Sequence, residues 1–362
     1  MGTRYMASSD TRAPHRTQQA LTIGAIVILL LVLAVGAGVV SRQKSPQQIT
    51  ASQTASVTIA EPVYFAAPTI LGIVFVDSTS TTLQRTNQDN SLTTLAKLPG
   101  TPTQVIVDSS GHSAAALIPL PNGAAWHIFD LDLGAEVGQL PATVQSLAFS
   151  KDGLRILYFN NTKNRPGLYT SDRSGHTPVL LRAVDGYVYA IAWLADDTYA
   201  LLLQDIPGSG TPLRTRYVAL SVSTKAFTPL INGDLPPLVA PNKETVLIGS
   251  SGTFDSPALT VFRFTPDGPQ SVPMTVPAST TAFASWSEDS GELTAVTSTG
   301  TALQLSRSSL GNNQTTIIAN EQTFSNNILA GKPESFAALV GELNGMIYYL
   351  AATKLERFPL AQ

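Results

Sequence analysis

Three histidines fall in the long C-terminal part of the chain: His112, His127 and His176. Imidazole suits proton transfer near neutral pH and metal ligation, so these positions test whether such chemistry is open to the protein. Their spacing argues against it. None has the i, i+4 partner of a helical metal motif, and the three occupy different places in a repeating pattern set out below. They read as structural rings, solvated or hydrogen-bonded. Asp130 and Asp132 share one face of a strand and, with Gly134, carry a fragment of a calcium loop, but the rest of that loop is missing. They read as a solvated acidic pair. Glu288-Asp289 and Asp196-Asp197 lie in turn-like stretches, where acids bond to nearby backbone. The chain contains no G-x-S-x-G, H-E-x-x-H, P-loop or complete G-x-G-x-x-G sequence. It has no cysteine, which excludes disulfides, a thiol nucleophile, thiolate-bound zinc and iron–sulfur clusters. The residues therefore predict no catalytic centre, no metal and no cofactor. Trp126, Trp193 and Trp286 read as packing residues at strand ends. Asn160-Asn161-Thr162 and Asn313-Gln314-Thr315 are acceptor sequences for glycosylation in a host that modifies exported chains.

Binding has a stronger signal. Three consecutive repeat units carry extended loops at one equivalent place, Asn160–Pro166, Gln204–Arg216 and Ser250–Ala258. Loops on a rigid scaffold are where recognition concentrates, although surface loops also tolerate insertion at little cost. The candidate binding residues are Lys163, Arg165, Asp205, Arg214, Arg216, Phe254 and Asp255. The arginines stand out because residues 45–362 hold 17 basic and 24 acidic side chains, a net charge of −7. Arginine forks suit carboxylates. The same net charge argues against nucleic acid as a partner, since phosphate backbones need a basic face.

The elements that must hold these residues are short. After residue 55, apolar runs of strand length alternate with Gly, Asn, Asp, Ser and Pro, the all-β pattern. VQSLAFSKDGLRILYFN (144–160) followed by PGLYTSDRSGHTPVLL (166–181) reads strand, turn, strand, loop, strand, turn, strand. A first turn recurs near Gly111, Gly153, Asp197, Glu244, Ser290 and Glu334. A last hairpin recurs near Ser91, Gly134, Gly175, Lys225, Gly268, Gly311 and Lys354. A period of ~40–45 residues with four strands is that of a β-propeller, and residues 63–362 have room for seven units. Residues 55–60 predict an added strand near the closure. The segment 333–345 places Phe336, Leu339, Val340 and Leu343 at helical spacing, while the repeat register makes it the second strand of the last blade. The register predicts a strand.

The units resemble the WD-repeat-like blades of the TolB-like propeller superfamily. The resemblance rests on Phe149, Ser150, Asp152 and Gly153, then Leu168, Tyr169, Asp172 and Gly175, and on Phe129-Asp130-Leu131-Asp132 with Gly134. It covers about residues 63–362 and implies the fold, not the role. TolB has a further α/β domain before its propeller, and propeller-headed peptidases add a hydrolase domain. Neither pattern is present in this sequence, so neither activity carries over.

Residues 21–40 form an uncharged apolar run of the length that crosses a bilayer. The small residues Ala34, Gly36, Ala37 and Gly38 also fit the end of a signal peptide, whose apolar stretch is ordinarily ~7–15 residues. Length favours a retained span from Leu21 to Val40. Arg4, Arg12 and Arg16 before it, against Arg42 and Lys44 after it, favour a cytoplasmic N-terminus. The expected plan is a short cytoplasmic tail (1–20), a transmembrane helix (21–40), a flexible linker (41–55) and an exported propeller (56–362). The fold class is thus all-β, a seven-bladed β-propeller preceded by a single N-terminal transmembrane helix. The expected role is a membrane-anchored binding or scaffold module with a protein partner. The alternative is an exported propeller enzyme, a lyase or glycan-acting hydrolase, with its site at the mouth of the central channel.

Overall fold

The computed structural model describes residues 56–360 except 88, 90, 122, 163–164, 207–213, 251–258, 275–282, 300–301, 313, 321, 330 and 333–335. The apolar run 21–40 and its flanks lie outside the described residues, and no helix among those described is long and apolar enough to cross a membrane.

Seven four-stranded antiparallel sheets follow one another along the chain. Blades 1 to 6 each use four consecutive strands; blade 1 runs from Val63 to Lys97, blade 2 from Gln104 to Leu140, blade 5 from Leu238 to Val272 and blade 6 from Phe283 to Ala319. Blade 3 is Val144–Phe149, Arg155–Asn160, Gly167–Asp172 and Val179–Ala183; blade 4 is Val188–Leu194, Tyr199–Asp205, Thr215–Ser221 and Phe227–Asn232. Blade 7 takes three strands from the chain's end, Phe336–Leu343, Met346–Ala351 and Lys354–Pro359. Its outermost strand is Val57–Ala60, which pairs antiparallel with Lys354–Pro359. The first strands of blades 7 and 1 are in contact, so the ring is closed.

The expected strand near the closure is therefore present, but the last blade lies one strand out of phase with the expected register. Glu334 is not its first turn; Asn344-Gly345 is. Segment 336–343 is a strand, as the register required, yet it is the first strand and not the second. Lys354 opens the third strand, and the fourth comes from the N-terminal side. The displacement has a cause. A π-helix, Gln322–Ile328, is inserted between blades 6 and 7 and lengthens that step. Its Phe324 is fully buried, with the rings of Phe336, Tyr349 and Phe358 around it.

The apolar pattern explains the architecture. Strands such as Ile156-Leu157-Tyr158-Phe159 are buried on both faces, which a single blade could not achieve. The buried side chains gather in seven clusters, and each bridges two neighbouring blades. Trp193 and Leu202 of blade 4 pack on Leu157 and Phe159 of blade 3, for example. The core is thus a set of seven seams.

Alternation of strand direction gives the ring two unlike faces. One, the turn face, carries the hairpins between first and second and between third and fourth strands. The other, the loop face, carries the second-to-third loops and the blade-to-blade connections. In blades 3, 4 and 5 the second strand ends and the third begins at the loop face.

Candidate functional site

The loop-face end of blades 3 and 4 is built by a repeated irregularity. In blades 1, 3 and 4 the first strand begins with a buried valine followed by a residue that skips its pairing partner. The valines are Val63, Val144 and Val188, and the skipped residues are Tyr64, Gln145 and Tyr189. A β-bulge of this kind turns a side chain away from the sheet's regular faces. Tyr64 and Tyr189 are accordingly 49% and 46% exposed while lying on innermost strands. The Tyr64 hydroxyl donates to the Thr103 carbonyl of the next blade at 3.4 Å.

Blade 4 adds an acid and two bases. The Tyr187 amide donates to Asp205 Oδ2 at 3.3 Å, and the Asp205 amide donates to the Tyr187 carbonyl at 3.1 Å. These bonds hold the start of the first strand against the end of the second. The rings of Tyr187 and Tyr189 meet at 5.1 Å between centroids. The Tyr189 phenol is pushed above its ordinary value, first by burial and then by a hydrogen bond with Asp205 and that residue's charge. Arg214 is exposed at the foot of the third strand, and its carbonyl accepts the Ile206 amide at 2.8 Å. Gln204, Arg216 and Asn232 form one rung across the sheet.

Buried polar atoms without a protein partner collect here. Gln145 Oε1, Asn160 Oδ1, Gln204 Oε1 and Arg216 Nε are all in this state, at the loop-face ends of blades 3 and 4. Leaving such a group unsatisfied costs about 1–3 kcal/mol, so water or a ligand is expected to complete them. The donors and acceptors present suit a carboxylate, an amide or a peptide backbone.

Of the seven candidate binding residues, the structure brings Asp205, Arg214 and Arg216 together. Arg216 is in the third strand and half-buried, not on the loop. Arg165 is exposed on the neighbouring loop of blade 3, where its carbonyl accepts the Tyr169 hydroxyl at 3.1 Å. Lys163, Phe254 and Asp255 lie outside the described residues. The tyrosines escaped the sequence reading. Their available signal was a Val followed by a large polar residue at the start of first strands, as in Val63-Tyr64, Val144-Gln145 and Val188-Tyr189.

The histidines are held apart by local bonds. His112 Nδ1 lies 2.7 Å from Asp132, His127 is buried 3.1 Å from Glu136, and His176 Nδ1 lies 2.7 Å from the Ser174 hydroxyl. Asp130 accepts the amides of Asp132 and Leu133 and pairs with Arg173 of blade 3. The indole N–H groups of Trp126, Trp193 and Trp286 donate to backbone carbonyls. Among the described residues no three His, Asp or Glu side chains are grouped to hold a metal.

The turn face holds a group the sequence did not announce. Lys243 of blade 5 is buried in a left-handed turn, with φ of 55°. Its ammonium donates to the carbonyls of Phe149 and Ser150, both at 2.9 Å, two blades away. Burial lowers its pKa, while Asp108, Asp197 and Asp152 pull the other way. Arg155–Asp197 and Lys151–Asp196, each at 2.7 Å, join blades 3 and 4 beside it.

No family profile matches the sequence, and no curated protein matches it. Solved structures do. The tricorn protease aligns with a TM-score of 0.53 at 11% identity over 88% of this chain, which spans only 34% of that protein. The β-propeller domain of the Trilobed protease from Pyrococcus furiosus, described as having an open velcro topology, aligns at 0.50 with 10% identity, covering 82% of this chain and 96% of that one. TolB from Acinetobacter baumannii aligns at 0.43 with 16% identity, covering 82% and 79%. The likeness to these structures shows the fold alone, a β-propeller.

Proposed function

We propose that the chain is a membrane-anchored, extracytoplasmic propeller that binds a protein partner through the loop face of blades 3 to 5. The carrying observation is the set of unpartnered buried polar atoms beside Tyr187, Tyr189, Asp205, Arg214 and Arg216. Tyrosine and arginine are among the side chains enriched at the energetic centres of protein interfaces. The anchor is the apolar run Leu21 to Val40, with a cytoplasmic tail before it and the tether 41–55 after it. The chain joins the ring at the turn-face end of the closing strand, since Val57 pairs with Arg357 near the end of the last strand. The loop face is the end of the ring opposite the end at which Val57 enters the closing strand.

The test is capture from solubilised membranes with the full chain as bait, comparing the wild type with an Arg165→Ala, Arg214→Ala, Tyr189→Ala variant. These exposed substitutions should leave thermal unfolding nearly unchanged. The variant should lose the specific partner, and wild-type capture should weaken as salt is added. Retention of the same partner by a folded variant at the same salt would show that binding lies elsewhere.

A further inference from the structure

The first turn of each blade occupies an equivalent place, and six of the seven are polar. They contain Gly111, Gly153, Asp197, Asn242, Ser290 and Gly345. Blade 1 alone turns through two aliphatic residues, Ile70-Leu71, which are 62% and 38% exposed. Turns ordinarily select Gly, Asn, Asp and Ser because of their backbone tolerance and local hydrogen bonding. Here those tasks fall to the flanking residues. Thr69 Oγ1 donates to the Gly72 carbonyl at 2.8 Å and accepts the Leu71 amide at 3.2 Å. Gly72 takes φ of 145°, and a Cβ there would stand 2.1 Å from the Thr86 carbonyl oxygen. The turn is thus rigidly built and yet presents an apolar tip.

That tip is one wall of a cleft of about 290 Å³ between blades 7 and 1, bordered also by blade 6. Asn87, Glu288, Tyr348 and Arg357 are among its other walls. Arg357 is half-buried, and its side chain has no hydrogen bond, ion pair or ring contact among the described residues. Glu288 has no ionic partner there either; its Oε2 accepts only the Asn344 amide, at 3.4 Å. A guanidinium and a carboxylate thus line one cleft without neutralising each other, next to an aliphatic surface. The volume is at the small end of the ~300–1,000 Å³ usual for ligand sites, fit for one amino acid.

We infer that this closure cleft binds a free aliphatic α-amino acid, its carboxylate on Arg357, its ammonium on Glu288 and its side chain against Ile70 and Leu71. Fork-shaped arginine donors recognise carboxylates in two-bond fashion, and the opposed charges select a zwitterion over a simple anion. The site is on the turn face, so its fate is independent of the loop-face reading.

The test is saturation-transfer NMR on the full chain in detergent micelles, with L-leucine, N-acetyl-L-leucine and L-leucinamide as probes. L-leucine should bind saturably at ~1 mM or below. N-acetyl-L-leucine should bind about tenfold more weakly, and L-leucinamide should give no transfer. Arg357→Gln should abolish L-leucine binding, and Glu288→Gln should remove the preference for L-leucine over its acetylated form. Ile70→Ser, on an exposed turn that cannot perturb the core, should weaken binding even if Arg357→Gln fails to fold. No saturable L-leucine binding, equal binding of N-acetyl-L-leucine, or unchanged affinity in Ile70→Ser would each overturn the assignment.

Discussion

Blades 2 to 5 and the junction of blades 6, 7 and 1 hold together by different means. The first region is laced by charges on its turn face: Arg173 to Asp130, Arg155 to Asp197, Lys151 to Asp196, and Lys243 across to the carbonyls of blade 3. The second has an ion pair of this kind, Arg307 of blade 6 with Glu342 of blade 7, and adds rings and close backbone approach. Phe324, Phe336, Tyr349 and Phe358 pack together, and a Cβ on Gly341 would meet Pro68 of blade 1 at 2.8 Å. The rings fill the seam of blades 6 and 7, while blades 7 and 1, which are not consecutive, meet through Val63, Ile73, Phe75, Val340 and Leu343.

Three experiments would break or sharpen this contrast. The largest effect is expected from Phe324→Ala, which empties the aromatic wedge beside the closing blade. Loss of a buried phenylalanine costs about 3–5 kcal/mol, and chemical denaturation should show it with little dependence on salt. A loss under about 1 kcal/mol would mean the π-helix merely covers the seam.

Next is Lys243→Met, which removes the donor from two buried carbonyls at a cost of about 1–3 kcal/mol. Its diagnostic is pH. Burial lowers the folded-state pKa below the ordinary 10.5, so above the folded pKa the unfolded chain binds more protons at this site. Wild-type stability should therefore gain, relative to the variant, as pH rises through the folded pKa towards 10.5. Parallel pH profiles for the two proteins would refute a perturbed lysine. The smallest effect belongs to the paired change Lys151→Ala, Arg155→Ala, within ~1 kcal/mol because those cations are half-exposed. That loss should shrink with added salt; a loss as large as that of Phe324→Ala would erase the distinction between the regions.

The repeat was legible because the first turns at Gly111, Gly153, Asp197, Glu244 and Ser290 are tight and carry turn chemistry. The last blade was not, for two physical reasons. The inserted π-helix moved its first turn to Asn344-Gly345. Two bulges, at Ala337 and Val340, also interrupt the two-residue alternation of strand 336–343, which is why its apolar residues mimic helical spacing. Bulges hid the candidate site in the same way. Asp205, Arg214 and Arg216 could be found by charge and loop length, but Tyr64 and Tyr189 look like ordinary strand residues until pairing shows that each is skipped. Lys243 was invisible for a different reason. Its partners are carbonyls, which every residue has, so no side-chain pattern marks them.

The closing strand has a consequence in time. Val57 is paired with Arg357, so the segment that completes the ring is made first and its partner last. At ~5–20 residues per second, the intervening stretch takes on the order of 15–60 s to emerge, and throughout it Val57–Ala60 has no sheet to join. Blades 1 to 6 can form as local hairpins during that wait, whereas closure is a loop of the whole domain and must come last. The exposed edge of blade 7 and the free strand are then the two complementary surfaces in the nascent chain. A neighbouring copy could exchange them, so crowded synthesis is expected to yield strand-swapped dimers where dilute synthesis yields closed rings.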